Sequence, residues 1–147
     1  MSNVSDAYAL QRGKKHRLES IFLDPKSFSS RDDYEKQMIE LLQTKSIDLV
    51  CLAGFMRILG KKIIEAFSGK IINIHPSLLP AFPGLNVQEK ALQHGVRFSG
   101  CTVHFVNEEV DGGAIISQAV VPILDADDTQ SLSDRILEQE HIIYPEA

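Results

Sequence analysis

The sequence predicts an α/β fold around a mostly parallel central sheet, in one domain spanning residues 1–147. Three observations carry that expectation. Helical patterns alternate with short apolar runs, the order that interleaves strands with helices. Two of the runs, IDLVCLAGF (47–55) and KIINIH (70–75), are apolar almost throughout, as strands buried on both faces are. A composition of 44% hydrophobic and 24% charged residues is ordinary for a chain of this length that buries one core.

The elements follow in order. Residues 5–17 read as a polar helix and Ser20–Leu23 as a short extended piece. Ser29 or Ser30 offers an N-cap for RDDYEKQMIELLQTK, where Tyr34, Met38, Leu41 and Leu42 recur at helical spacing and the acids fall early, as the helix dipole prefers. The run ending at Gly54 is a strand, residues 60–67 a short helix, and KIINIH a second strand. PSLLPAFPG, with three prolines and a glycine, can be neither helix nor ladder. VQEKALQHG reads as a helix closed by Gly95. GCTVHFV and AIISQAVVPI form a hairpin across the polar loop NEEVDGG, and a last helix over roughly 129–143 opens at Asp127, Asp128 and Thr129.

Charge and cysteine content exclude some functions. A formal charge of -5 argues against bulk nucleic-acid binding, which needs a basic patch. Cys51 and Cys101 both lie in apolar runs and read as buried structural thiols, and with no CxxC no metal site or redox motif is expected. The first residues lack the apolar core of a signal peptide, and no stretch approaches the roughly 18 apolar residues of a membrane span. A cytoplasmic protein without membrane or nucleic-acid partners is the expectation.

The chemistry concentrates in IINIHPSLLPAFPG. Asn73 and His75 stand two apart where a buried strand ends, so alternation puts them on one side, at the carboxyl end where ligands bind open α/β sheets. An asparagine amide donates to a developing oxyanion, and a histidine moves protons near neutral pH. For such a pair taken alone, the commoner role is only to satisfy backbone groups at a strand end. Asp111, in EEVDGG, reads as a plain turn residue or as a carboxylate that orients His75 and favours its charged form. His104, in TVHFV, reads as a structural histidine rather than a catalytic one. Spacing alone does not bring these residues together.

NIHPSLLPAFPG, with AGFMRIL at 53–59, TVHFVNEEVDGG at 102–113 and QEHIIYP at 139–145, resembles the phosphoribosylglycinamide formyltransferases. Formyltransferases acting on initiator methionyl-tRNA share the HxSLLP core but usually follow it with an arginine–glycine pair, where this chain has Pro83 and Gly84. Formyltetrahydrofolate hydrolases typically lack the full HPSLLP wording. The resemblance implies a three-layer, Rossmann-like formyltransferase fold. It also implies transfer of the formyl group of 10-formyltetrahydrofolate to the amine of 5-phosphoribosylglycinamide (GAR), in the de novo purine route to IMP, without a metal. In that chemistry Asn73 polarises the formyl oxygen, His75 stabilises the oxyanion and shuttles protons, and Asp111 pairs with His75. Met56, Arg57, Ile58 and Leu59 would line the folate pocket, with Asn107, Glu108, Glu109, Val110 and Asp111 closing over the same ring. Arg31 would face the folate tail, and Glu140 the glycinamide of GAR. By themselves Arg31 and Glu140 are plain helix residues, and the FMRIL stretch could be core.

One departure bears on activity. The family opens with a strand and a G-x-G-S-N loop whose amides cradle the GAR phosphate. None of the nine glycines here stands two residues from another, and relatives continue beyond HIIYPEA. The expectation is a formyltransferase domain lacking the first strand or strands and the phosphate cradle, and so weakly active or inactive alone. A formyltetrahydrofolate hydrolase or a non-catalytic folate-binding fragment are the competing readings.

Overall fold

The computed structural model describes residues 1–147, which fall into two compact units, Met1–Lys45 and Ser46–Ala147. No helix in either is long and apolar enough to cross a membrane.

In the first unit α1 (Tyr8–Lys15) ends in Arg12, Lys14 and Lys15, cations set against the negative pole of the helix. The extended piece is anchored through Phe22, which bridges Ser2 in parallel. A 3₁₀ turn (Pro25–Ser27) is capped by Asp24. Helix α2 (Arg31–Thr44) starts at Ser30, whose hydroxyl accepts the Asp33 N–H, and it buries Tyr34 and Met38.

The second unit contains β1 (Val50–Leu52), α3 (Lys61–Ala66), β2 (Ile71–His75), α4 (Val87–His94), β3 (Phe98–Phe105), β4 (Ile115–Pro122) and α5 (Thr129–Glu146). The strands form one sheet in the order β1-β2-β3-β4. The α/β expectation holds, but within this chain the sheet is mixed rather than mostly parallel. Only β1 and β2, joined through α3, run parallel. Strand β3 enters beside β2 from the opposite end, with Ile72 opposite Phe105 and His75 opposite Thr102. The short loop to β4 forces the last ladder antiparallel. Apolar runs announce strands; the connections set their direction.

Alternation gives the sheet two unlike faces. Ile72, Ile74, Cys101, Val103 and Val121 form the core with Ala91 of α4 and with Leu132 and Ile136 of α5. Leu132 is fully buried, so Leu132→Ala costs about 2–5 kcal/mol. The intervening positions of β2, β3 and β4 carry Asn73, His75, Thr102, His104 and Gln118. The apolar face holds the unit together, and the other holds polar groups in fixed register.

Three expectations need correction. Strand β1 is shorter than 47–55 and is not buried on both faces: it pairs only with β2, at the sheet edge. For the same reason Cys51 is exposed, while Cys101 is buried in the core. Helix α5 runs to Glu146, past the expected end, with Pro145 inside its last turn. The proline segment has no regular structure, as expected; Leu79–Pro80 is cis, and Phe82 and Asn86 take left-handed backbone.

Candidate active site

A cleft of roughly 1040 Å³ opens within the second unit at the carboxyl ends of β1 and β2. The residues after β1, the proline segment, the 106–111 loop and one flank of α5 complete its walls. That loop is pinched at its base, where the Phe105 N–H bonds the Ala114 carbonyl at 2.9 Å. Gly113 is required there, since a Cβ would run into the Phe105 carbonyl oxygen. Asp111 itself takes left-handed backbone (φ 53°), which aspartate tolerates better than most residues.

The polar end of the cleft is built from β2 and β3 upward. Asn73 and His104 are direct partners across the antiparallel ladder, and Asn73 Nδ2 lies 3.2 Å from His104 Nε2. The other ring nitrogen of His104 is 2.9 Å from the Phe105 carbonyl, which can only accept, so Nδ1 carries the proton. In the neutral ring Nε2 then accepts from the Asn73 amide. One amide hydrogen is used, and the second remains for a ligand.

His75 is buried, with both nitrogens engaged. Its Nε2 donates to the Phe82 carbonyl at 3.0 Å, and its Nδ1 lies 3.4 Å from Asp111 Oδ2. The same carboxylate oxygen accepts the Gly84 N–H at 2.8 Å, and its other oxygen lies 3.7 Å from His104 Nε2. Asp111 therefore stands between the two histidines, tied to the proline segment by a backbone amide.

Met56, Arg57, Ile58 and Leu59 all line the cleft. Ile58 is 64% exposed and Met56 73%, so neither is core, whereas Leu59 is buried. Asn107, Glu108, Glu109 and Val110 line it with Asp111, and Glu108 lies 3.8 Å from Lys61 of α3. Glu140 also lines it, one helical turn beyond Ile136 on the inward stripe of α5 that begins at Leu132. Burial pushes its carboxyl up, towards the neutral form. Burial, with a smaller contribution from Glu140, pushes the Cys101 thiol up to about 11, so this sulfur is no nucleophile at neutral pH. Arg31 lies in the Met1–Lys45 unit, at the first residue of α2, where its Nε donates to Glu35 at 2.8 Å.

Sequence reasoning missed several groups. The pairing of His104 with Asn73 is one of them: a structural histidine is expected at 104, but the register that sets it 3.2 Å from the Asn73 amide comes from an antiparallel ladder no local pattern announces. The Phe82 carbonyl and Gly84 amide are backbone groups, which sequence does not mark. Tyr144 donates to the Leu52 carbonyl at 2.7 Å, tying α5 to β1, and burial pushes its phenol up. Leu137 and Ser133 extend the α5 wall of the cleft.

Known proteins share this frame. The profile of the formyl transferase family matches residues 1–147. The phosphoribosylglycinamide formyltransferase of Haemophilus influenzae is 46% identical over 145 residues, 99% of this chain and 68% of that protein. The trifunctional purine biosynthetic protein adenosine-3 of Drosophila melanogaster is 48% identical over the whole chain, which spans only 11% of that protein's length. The glycinamide ribonucleotide transformylase 1 structure of Symbiobacterium toebii superposes with a TM-score of 0.97 at 50% identity, over 99% of this chain and 68% of that one. The chain belongs to the formyl transferase family.

Proposed function

We propose that this chain transfers the formyl group of 10-formyltetrahydrofolate to the primary amine of 5-phosphoribosylglycinamide, a step of de novo purine synthesis. The observation that carries the reading is the convergence of Asn73, His75 and Asp111 at the polar end of a cleft with an apolar wall. The names of the relatives support the choice of substrates. The apolar wall of Met56, Ile58 and Val110 suits a flat pterin, with main-chain groups of the 53–59 and 106–111 segments in reach of its polar edge.

The amine nitrogen of GAR attacks the formyl carbon, and the carbonyl oxygen becomes an oxyanion. The second N–H of Asn73 donates to that oxygen, already oriented by His104. As the tetrahedral centre forms, the attacking nitrogen gives its proton to His75 Nδ1, making an imidazolium beside Asp111. His75, through the Nδ1 that faces Asp111, passes a proton to N10 of the folate as the C–N10 bond breaks. Formyl-GAR and tetrahydrofolate leave, and protons balance without metal or redox chemistry. Asp111 pairs with the imidazolium while it is formed and balances its charge. Glu140, held towards the neutral form by burial, can receive the glycinamide part of GAR.

The test is formyl transfer by this chain from 10-formyltetrahydrofolate to GAR, followed as formyl-GAR and tetrahydrofolate formed together. His75→Ala should lower the rate roughly 10²- to 10⁴-fold, and Asn73→Ala roughly 10²- to 10³-fold. Release of free formate at a rate indifferent to GAR would overturn the reading in favour of hydrolysis. Binding of the folate with no turnover at all would reduce the chain to a folate-binding protein.

A further inference from the structure

The face of the sheet that carries the site also carries a polar bracket to which the mechanism above assigns nothing. Thr102, on β3, is wholly buried and lies directly opposite His75 in the β2–β3 ladder. Its hydroxyl donates to the Ser77 carbonyl at 2.7 Å and accepts both the Leu79 N–H and the Gln118 side-chain amide at 3.0 Å. One donor and two acceptor positions are all a threonine has, and all are used. Gln118, on β4, also donates to the Leu79 carbonyl at 2.9 Å. Ser77 is buried too, and its hydroxyl donates to the Ala81 carbonyl at 2.6 Å with the Phe82 carbonyl at 3.2 Å. The Phe82 ring stacks edge-on against His94 of α4, its centroid 5.3 Å away. The turn from Ser77 to Phe82 is thus held by two strands, a helix and its own first serine. Its last carbonyl is the one that receives His75 Nε2.

A carbonyl oxygen accepts only a proton-bearing nitrogen. Asp111 is an acceptor too, but its Oδ2 stands 3.4 Å from Nδ1, against 3.0 Å for the Phe82 carbonyl on Nε2, and already takes the Gly84 N–H. In the neutral ring the carbonyl therefore keeps the proton on Nε2, and Nδ1 is left to take up the proton that pairs with Asp111. A carbonyl displaced by a fraction of an ångström would lose that selection.

We propose that Thr102 and Ser77 are positioning residues: through the Ser77–Phe82 turn they hold the Phe82 carbonyl on His75 Nε2 and so set the tautomer that presents Nδ1 to the reaction. The inference rests on the reading of His75 as the proton-handling group. Neither residue touches substrate. Gln118, at the exposed end of the bracket, contributes less, since water can replace its two bonds.

The experiment reads the ring nitrogens of His75 by ¹⁵N NMR on the chain without substrate, at a pH where the ring is neutral. The wild-type chain and Thr102→Ser, which keeps the hydroxyl, should show the Nε2–H tautomer almost alone. Thr102→Val and Ser77→Ala should populate the Nδ1–H tautomer. They should also lower kcat roughly tenfold or more with KM little changed, whereas Thr102→Ser stays near wild type. If Thr102→Val fails to fold, Ser77→Ala, which removes a hydroxyl without filling space, decides by the same reading. Folded variants that keep the wild-type tautomer overturn the proposal, whatever their activity. The tautomer is read without any formyl donor. A chain that turns over no GAR would therefore refute the proposed function and leave this inference standing.

Discussion

At the residue scale the site depends on pairs rather than single side chains. Asn73 presents a usable N–H to the cleft only while its amide is turned the right way, and His104 sets that turn. If His104 acts through Asn73, the two losses are not additive. His104→Ala should slow formyl transfer less than Asn73→Ala, and the double variant should be no slower than Asn73→Ala alone. Fully additive losses in that double-mutant cycle would give His104 a role of its own. Glu140 shows the opposite tension. Its carboxyl is raised by burial, so the folded chain binds its proton more tightly than the unfolded chain does. Stability from this group is full below the ordinary carboxylate range and is lost as the pH rises towards its higher folded value. Glu140→Gln should therefore raise Tm at pH 7 while changing it little near pH 4, by calorimetry at both. A lower Tm at pH 7 would show that the ionised carboxylate has a partner in the fold.

At the scale of elements, the start of α5 is the most heavily tied segment of the second unit. Asp128 and Ser131 form a reciprocal capping box. Asp127 takes two bonds from the Arg135 guanidinium, at 2.6 and 2.8 Å, and one from the Leu124 N–H at 2.8 Å. Arg135 first, and the Leu124 amide second, hold its carboxyl well below the usual carboxylate range. The folded value lies under the unfolded one, so this stabilisation is complete above about pH 4 and is lost as the pH falls from there. Asp127→Asn should lower Tm at pH 6 and flatten its decline between roughly pH 4 and pH 2. A variant with the wild-type slope over that window would show that other carboxylates dominate acid unfolding. The element boundaries were largely readable in advance: Ser30, Gly95 and Asp128 act as caps whose side chains or backbone freedom are local properties.

At the scale of the whole molecule, strand order separates residues that look alike in the sequence. Cys51 and Cys101 sit in similar apolar runs, yet the edge position of β1 exposes one and the central position of β3 buries the other. A neutral thiol reagent should label one cysteine quickly in the native chain and the second only on unfolding, with mass spectrometry placing the first label on Cys51. Early labelling of Cys101 would mean that the core opens between β3 and α5. The same long-range order assembles the cleft, since Asn73, His104 and Asp111 come from one strand, its antiparallel neighbour and the loop beyond.

What the sequence determined by itself was whatever depends on near neighbours. It marked the apolar runs that become β2, β3 and β4, the helix caps, the proline segment that can be no ladder, and the Asn73–His75 pair whose spacing places both on one side of a strand. Its motifs pointed to the formyl transferase family, to which the chain belongs. Only the tertiary structure decided the mixed direction of the sheet, the exposure of Cys51, the meeting of Asp111 with His75, and the backbone carbonyl and amide that complete the site. The physical reason is common to all four: each depends on which segment lies beside which, and that is set by core packing and ladder register across long stretches of chain. Local propensity and spacing carry no record of it.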